Sequence, residues 1–252
     1  MLTTLKVAIT RPQQQGLQLQ QALDKVGISS MCQPLFSYRL NTDKNKIMSQ
    51  VERLQPTIVI FISAAAVKFA NEALPLREWL DENQQIIAVG EKTLQALATL
   101  DIQATCPEIH NSEGMLALPQ LSSSLLMRTT KNILIVRGES GREFLAEQLS
   151  LRGAQVEYLE SYQREWLTLS HEQTALWHPK NINTIVITSN DLLQRVVDLI
   201  DITDNYWQNT CLWLVVSERI AQSAQKMGLK NVVNSCGANN QSIITTLLNM
   251  ES

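Results

Sequence analysis

Residues 132–164 read NILIVRGESGREFLAEQLSLRGAQVEYLESYQR. Residues 132–136 form a short apolar run rich in branched side chains, as expected of a strand buried on both faces. The segment RGESGR, residues 137–142, interrupts it with Gly138 and Gly141. Phe144, Leu145, Leu149 and Leu151 then recur near helical spacing, with Glu143, Glu147 and Gln148 on the solvent side. Gly153 is the expected helix stop, since glycine tolerates a left-handed conformation. Val156 and Tyr158 open a second strand, and Tyr162 is expected where that strand ends. The unit is β-α-β, and ligands of such units lie beyond the carboxyl ends of the parallel strands. Residues 137–142 and Tyr162 are therefore the first candidates for function.

The rest of the chain repeats this alternation. A strand over 6–11 ends in Thr10-Arg11-Pro12, and a helix from Pro12 runs to Val26 and stops at Gly27. A strand over 30–35 leaves the sheet early at Pro34, and 36–40 is extended. A helix over 45–54 and a buried strand over 57–62 lead to Ser63-Ala64-Ala65-Ala66, which opens a helix to Ala73. A strand over 85–89, a turn at Gly90, a helix over 92–100, a short strand over 104–107 and a helix over 112–118 follow, and 122–130 reads as a loop. Beyond 164, helices are expected over 169–177, 192–199, 219–227 and 242–249, and strands over 184–188, 212–216 and 231–234. Ser189-Asn190-Asp191 caps the second of these helices. Strands alternating with helices make the class α/β with parallel sheets.

Composition narrows the function classes. The 252 residues carry a net charge of −3 and a pI of about 5.7, which argues against nonspecific nucleic-acid binding. No apolar run is long enough to span a membrane. Residues 1–6 lead straight into a strand without a signal-peptide pattern, so a cytoplasmic location is expected. Cys32, Cys106, Cys211 and Cys236 lack C-x-x-C spacing and read as free thiols. His110, His171 and His178 form no metal-ligand pattern, and the last two read as surface residues.

The two halves also align with each other. Arg11 matches Arg137 and Gly27 matches Gly153, both at an offset of 126, half the chain length. Ile60-Phe61-Ile62-Ser63 matches Val186-Ile187-Thr188-Ser189 at the same offset. Val89-Gly90-Glu91-Lys92 matches Val216-Ser217-Glu218-Arg219 at 127, and Tyr38-Arg39 echoes Tyr162-Gln163-Arg164. A duplication with two facing lobes is expected, and clefts between lobes favour ligands.

In their order, these motifs resemble the uroporphyrinogen-III synthase family. The resemblance rests on Thr10-Arg11-Pro12, Phe61-Ile62-Ser63, Ile87-Ala88-Val89-Gly90-Glu91-Lys92-Thr93, Ser112-Glu113-Gly114-Met115-Leu116, residues 137–142, Gly153-Ala154-Gln155-Val156, Tyr162-Gln163-Arg164, Thr188-Ser189 and Val216-Ser217-Glu218-Arg219-Ile220-Ala221. It covers nearly the whole chain and departs from the family pattern at Ile62, Ala65, Ser217 and Ile220. It implies two flavodoxin-like parallel-sheet lobes joined by a two-stranded connector, the chain crossing twice. Lobe one is then 1–35 plus 168–252, lobe two 40–160, and the connectors 36–39 and 161–167. It further implies a cofactor-free cyclisation of hydroxymethylbilane, a flexible linear tetrapyrrole with eight carboxylates. The last ring is inverted and water is lost. A monomer is expected, with the small molecule and the preceding enzyme of the pathway as partners, and no nucleic acid or membrane.

Such a ligand calls for many N–H donors, which helix N-termini supply together with a favourable dipole. The candidates are Ser63 and Ala64, Gly90 and Thr93, Thr188, Ser189 and Asn190, and Ser217 and Arg219; the serines could equally be N-caps alone. Arg11 and Arg137, followed by Gly138, stand at equivalent strand ends. A guanidinium suits a carboxylate, and a structural pairing with Glu139, Glu143 or a neighbouring loop is the alternative. Tyr162 is the catalytic candidate, since a phenol stays protonated at neutral pH and can donate to a departing hydroxide; packing of the connector, as expected of Tyr38, is the alternative. No phosphate loop, nucleophile elbow or metal motif is present. The competing functions are a non-catalytic two-lobed small-molecule binding protein and a two-lobed sugar transferase.

Overall fold

The computed structural model describes residues 4–126, 131–139, 141, 143–169, 177, 181–200 and 204–251. Among these the elements are β1 (Lys6–Ile9), α1 (Gln13–Asp24), β2 (Ser29–Cys32), β3 (Phe36–Leu40), α2 (Lys44–Leu54), β4 (Ile58–Phe61), α3 (Ala64–Ala73), β5 (Gln85–Ala88), α4 (Glu91–Ala98), α5 (Ser112–Leu116), α6 (Ser123–Leu126), β6 (Asn132–Gly138), α7 (Phe144–Leu151), β7 (Gln155–Trp166), β8 (Thr184–Ile187), α8 (Asn190–Leu199), β9 (Leu212–Val215), α9 (Glu218–Lys226), β10 (Val232–Asn234) and α10 (Asn240–Glu251). The α/β class with parallel sheets is therefore as expected. The chain divides into two compact units, Met1–Ser37 with Glu165–Ser252, and Tyr38–Arg164.

The first unit holds a sheet ordered β2-β1-β8-β9-β10, every pair parallel. The order reverses at β1, so the crevice beyond the carboxyl ends of β1 and β8 is the switch point at which doubly wound sheets take ligands. Val7, Ala8 and Ile9 of β1 and all four residues of β8 and β9 are buried. That explains their apolar runs: helices cover both faces of these central strands, so these residues do not face water. The Thr10 hydroxyl donates to the Val186 carbonyl at 2.9 Å and ties the ends of β1 and β8 together.

The second unit holds a sheet ordered β3-β7-β6-β4-β5. Its core strands β5, β4, β6 and β7 are parallel, and the switch point lies between β4 and β6. Alternate residues of each strand feed opposite cores. Val59, Phe61, Leu134 and Val136 pack with α2, α3 and α4; Ile58, Ile60, Ile133 and Ile135 pack with Met115, Leu126, Leu145 and Leu149. Each such fully buried aliphatic side chain contributes about 1.5–3 kcal/mol by leaving water, which pins the strand faces.

One irregularity decides the site. The β6–β7 ladder runs in register as far as Arg137 against Glu160, but the next pair is Gly138 with Tyr162. Ser161 is the extra residue of a β-bulge. An uninterrupted strand would turn Tyr162 to the same side as Tyr158, four residues back. The inserted residue reverses that: Tyr158 packs on the α7 side of the sheet and Tyr162 on the α3 side.

Several local expectations change. β7 does not end at Tyr162 but runs on to Trp166, because it gains β3 as a neighbour; Asn41 N–H donates to Ser161 O and Leu167 N–H to Leu35 O. The expected loop over 122–130 begins with a helical turn at Ser123–Leu126, held by burial of Leu126; 127–130 lie outside the described residues. Leu151, expected on the buried face of α7, is 75% exposed because α7 ends there and Gly153 (φ +91°) turns the chain away. Pro12 precedes α1 as its N-cap rather than opening it. The strand expected over 104–107 is a single bridge from Thr105 to Ile87. The helix expected over 169–177 falls largely outside the described residues, and a π-helical turn at Tyr206–Thr210 was not anticipated.

Candidate active site

In the second unit, Tyr162 is partly buried and held by Ser63, Tyr38, Phe69 and Gly138. Its hydroxyl lies 3.3 Å from Ser63 Oγ, and Ser63 Oγ in turn accepts the Ala66 N–H at 3.0 Å as the N-cap of α3. Its ring packs edge-on to Tyr38 at 4.9 Å and tilted against Phe69 at 5.5 Å between centroids. Gly138 lies against its other side, close enough that a methyl group there would meet Cζ at 2.6 Å. The Tyr162 carbonyl accepts the Glu139 N–H at 2.6 Å. The bulge residue Ser161 is fully buried, its hydroxyl 3.2 Å from the carbonyls of both Ala66 and Arg137. α3, β6 and β7 are thereby locked where Tyr162 emerges. Burial, and then its neighbour Tyr162, push the Tyr38 phenol up.

Arg137, at the end of β6, is 2% exposed. Its Nη1 donates to Glu143 Oε1 at 2.9 Å, its Nε reaches the Gly138 carbonyl at 3.2 Å, and its guanidinium stacks 4.3 Å from the centre of the Tyr158 ring. Tyr158 donates to the other Glu143 oxygen at 2.6 Å. These contacts show in the titration of Glu143 and Tyr158. The Tyr158 hydrogen bond, more than Arg137, holds Glu143 below the usual carboxylate range; burial first, then Glu143, pushes the Tyr158 phenol up to about 12. Arg137 Nη2 is buried without a hydrogen-bond partner, beneath Gly141 (φ +136°). Such an orphan donor costs about 1–3 kcal/mol or more when left unpaired. Arg137 and Tyr158 line a cavity of about 280 Å³ at the carboxyl end of this sheet, whose walls include Ile62, Val89, Asn111 and Met115.

The other candidates of this unit are distributed differently. Ala64 is the first residue of α3, half-buried beside Ser63. Gly90 N-caps α4, but His110 lies against it, 3.1 Å from where a Cβ would stand. Thr93 is 3% exposed and faces the interior. Ser140 and Arg142 of the RGESGR segment lie outside the described residues.

In the first unit the structure brings Arg11, Thr188, Ser189 and Asn190 to the carboxyl ends of β1 and β8. Arg11 is 5% exposed, with Nη2 donating to the Ala238 carbonyl at 2.5 Å and Nη1 to Asn240 at 3.2 Å, so it ties the entry of α10 to β1; burial lowers its pKa. Ser189 caps α8 through the Leu192 N–H at 3.2 Å, and Asn190 Oδ1 is buried without a partner. Ser217 occupies the N-cap of α9 but makes no side-chain cap bond, and Arg219 is exposed.

Reading the sequence offered Glu143 as an ion-pair partner of Arg137, and the structure shows that pair at 2.9 Å; it missed Ser161 and Tyr158 as parts of this arrangement. The Tyr158–Glu143 bond joins a strand to the start of a helix, and no spacing rule encodes that contact. The bulge region left a signal in retrospect: Glu160 and Ser161 are adjacent polar residues where the register shifts. His171 and His178 lie outside the described residues; among those described, no group of three or more His, Cys, Asp or Glu is placed to hold a metal.

Comparison with known proteins adds a second line. Residues 18–245 match the sequence model of the family described as uroporphyrinogen-III synthase HemD. The uroporphyrinogen-III synthase of Salmonella typhimurium is 31% identical over 254 aligned residues, spanning 96% of this chain and all of that one. That of Escherichia coli K12 is 30% identical over 250, with the same coverage. Among solved structures, the uroporphyrinogen-III synthetase of Helicobacter pylori aligns with a TM-score of 0.67 at 12% identity, covering 98% of this chain and 99% of that one. A mutant enzyme from Thermus thermophilus aligns with a TM-score of 0.61 at 14% identity, covering 98% of each chain. At these identities the solved structures speak for the fold alone.

Proposed function

This chain belongs to the uroporphyrinogen-III synthase family and is an enzyme of tetrapyrrole biosynthesis, and from that premise we propose how its residues perform the reaction. The substrate is hydroxymethylbilane, the reaction a cyclising loss of water. The phenol of Tyr162 protonates the terminal hydroxyl, which leaves as water while the terminal ring, keeping its N–H, becomes an azafulvenium cation. The substituted carbon of the last ring attacks the freed methylene to form a spiro intermediate, which reopens and closes again with that ring inverted. A proton lost from the closing ring returns to the phenolate, so the reaction balances to loss of one water and is a lyase reaction.

The observation that carries this reading is the clamped hydroxyl of Tyr162, beside the switch point of its sheet and within 3.3 Å of Ser63. A phenol donates effectively only if held within hydrogen-bond reach of the leaving oxygen. Carboxylates of the substrate are met by Arg137, by backbone donors at Ala64 and Gly90, and in the first unit by donors at Ser189, Asn190 and Ser217, with Arg11 and Thr188 shaping the strand ends. The cavity beside Arg137 fits one carboxylate arm, and the unpartnered Nη2 is the donor that would gain most from it. The chain is proposed to fold as two flavodoxin-like lobes, 1–35 with 168–252 and 40–160, joined by connectors at 36–39 and 161–167. It is proposed to act as a monomer that takes its substrate from the preceding enzyme. The four free thiols suit the cytoplasm.

The test is turnover of freshly prepared hydroxymethylbilane by the purified full chain. The type III isomer is expected. Formation of type I alone, at the spontaneous rate, rules the activity out and leaves a binding protein.

A further inference from the structure

We propose that Ser63 is a positioning residue: its hydroxyl donates to the phenol oxygen of Tyr162, leaving the phenol's own proton free for the substrate. This rests on the reading of Tyr162 as the acid.

The 3.3 Å contact between Ser63 Oγ and Tyr162 Oη has no direction of its own, since either oxygen could donate. The surroundings supply one. Ser63 Oγ already accepts the Ala66 N–H at 3.0 Å, and an amide can only donate. A hydroxyl oxygen that accepts an amide N–H is polarised into a better donor, because hydrogen bonds in a chain reinforce one another. Ser63 therefore passes the polarity on, in the order Ala66 N–H to Ser63 Oγ, then Ser63 O–H to Tyr162 Oη. The chain begins at the N-terminus of the ten-residue helix α3, whose dipole favours negative charge nearby. When Tyr162 gives up its proton, the phenolate is met by a donor already aimed at it, the arrangement that lowers a barrier without reorganisation.

The alternative direction, Tyr162 donating to Ser63, would turn the phenol proton toward the protein and remove it from catalysis. Packing fixes the oxygen in place for the productive direction. The ring is held by Tyr38, Phe69 and Gly138, so the phenol oxygen cannot swing away from Ser63 without moving the whole ring. Ser161 anchors the same turn of α3 by approaching the Ala66 carbonyl, so Ala66 is bound at both ends of its peptide register. Ser63 thus does two things: it caps α3 and it orients the acid.

The experiment is a double-mutant cycle on the full chain, with kcat and KM for hydroxymethylbilane measured for Ser63→Ala, Ser63→Thr, Tyr162→Phe and Ser63→Ala/Tyr162→Phe. Loss of Ser63's hydroxyl is expected to lower kcat by roughly five- to tenfold, the worth of one net hydrogen bond, at unchanged KM. Ser63→Thr restores the hydroxyl and the rate. In the Tyr162→Phe background, Ser63→Ala is expected to cost nothing further. Equal losses in both backgrounds, or a loss confined to KM, overturn the proposal, since a helix cap or a substrate contact would act without Tyr162. A readout free of turnover separates this from the parent reading: the ¹³Cζ resonance of Tyr162 in the resting protein should move on Ser63→Ala, while that of Tyr206, bonded to the Ile182 carbonyl, should not. A stationary Tyr162 resonance overturns the proposal whatever the rates. A shifted resonance with full activity in Tyr162→Phe instead overturns the assignment of Tyr162 as the acid, and the catalytic role of Ser63 with it.

Discussion

Tyr162 and Gly138 face each other across the β6–β7 ladder at a separation that excludes any side chain: a Cβ at Gly138 would lie 2.6 Å from Tyr162 Cζ and 2.7 Å from Cε2. Position 138 does not have the positive φ that would itself demand glycine, so the constraint is space alone. Gly138→Ala must displace the ring, and in a packed setting overfilling costs about 1–3 kcal/mol. The expected outcome is a moderate fall in melting temperature and a larger fall in turnover, since the displaced phenol leaves Ser63. Full activity in Gly138→Ala would mean that the position of the ring does not matter.

Tyr162→Phe keeps the ring packing and removes the hydroxyl alone. A positioned acid is worth roughly 10²–10⁴ in rate, and water or a substrate carboxylate can substitute in a polar site, so the lower end is expected. Tyr38→Phe, whose ring packs on Tyr162, should turn over normally at matched folded fraction. Wild-type turnover in Tyr162→Phe removes it as the acid.

Arg137→Met deletes the buried guanidinium and leaves Glu143, which is 54% exposed, to water. Stability should fall by about 1–3 kcal/mol through lost packing and pairing. If Arg137 holds a substrate carboxylate, KM should rise roughly ten- to a hundredfold, the worth of a hydrogen bond to a charged group, with kcat less affected. An unchanged KM in steady-state assays would make Arg137 purely structural.

The serines that follow β4, β8 and β9 should differ in stability terms. Ser63 and Ser189 each accept a backbone N–H, whereas Ser217 makes no cap bond. Ser189→Ala and Ser63→Ala are expected to cost about 1 kcal/mol each, and Ser217→Ala close to nothing, in urea unfolding. Equal costs at all three would show that the cap bonds do not set the difference.

The alkaline limb of stability carries a signature of Tyr158. Its folded phenol is raised from 10.0 to about 12, chiefly by burial, so the fold favours the neutral form. The stabilisation is complete below pH 10 and is lost as pH rises toward 12. Cys211, buried and raised from 9.0 to about 12, acts in the same direction. Tyr158→Phe should therefore flatten this limb in part, read as the urea midpoint between pH 8 and pH 11.5. An identical slope in the mutant would mean that Tyr158 titrates normally in the fold.

Much of this was legible in residue order. Four-residue runs such as Ile58–Phe61, apolar at every position, announce strands buried on both faces, and Gly27 and Gly153 mark helix ends because only a left-handed residue closes them cheaply. Those local rules sufficed for the α/β class and the order of elements, since each depends on neighbours within a few residues, and the family resemblance lay in the order of the motifs along the chain. What only tertiary structure decided is the direction of side chains. The polar pair Glu160-Ser161 marks a break in β7, but nothing in the sequence states that Ser161 is the extra residue; the bulge lies where β7 leaves the register of β6 and continues beside β3. That one-residue slip turns Tyr162 to the α3 side, against Ser63, and leaves Tyr158 on the other side with Arg137 and Glu143. Register is set by the packing of strands distant in the chain, so the partners of Tyr162 and Arg137 could be read only once the sheet had formed.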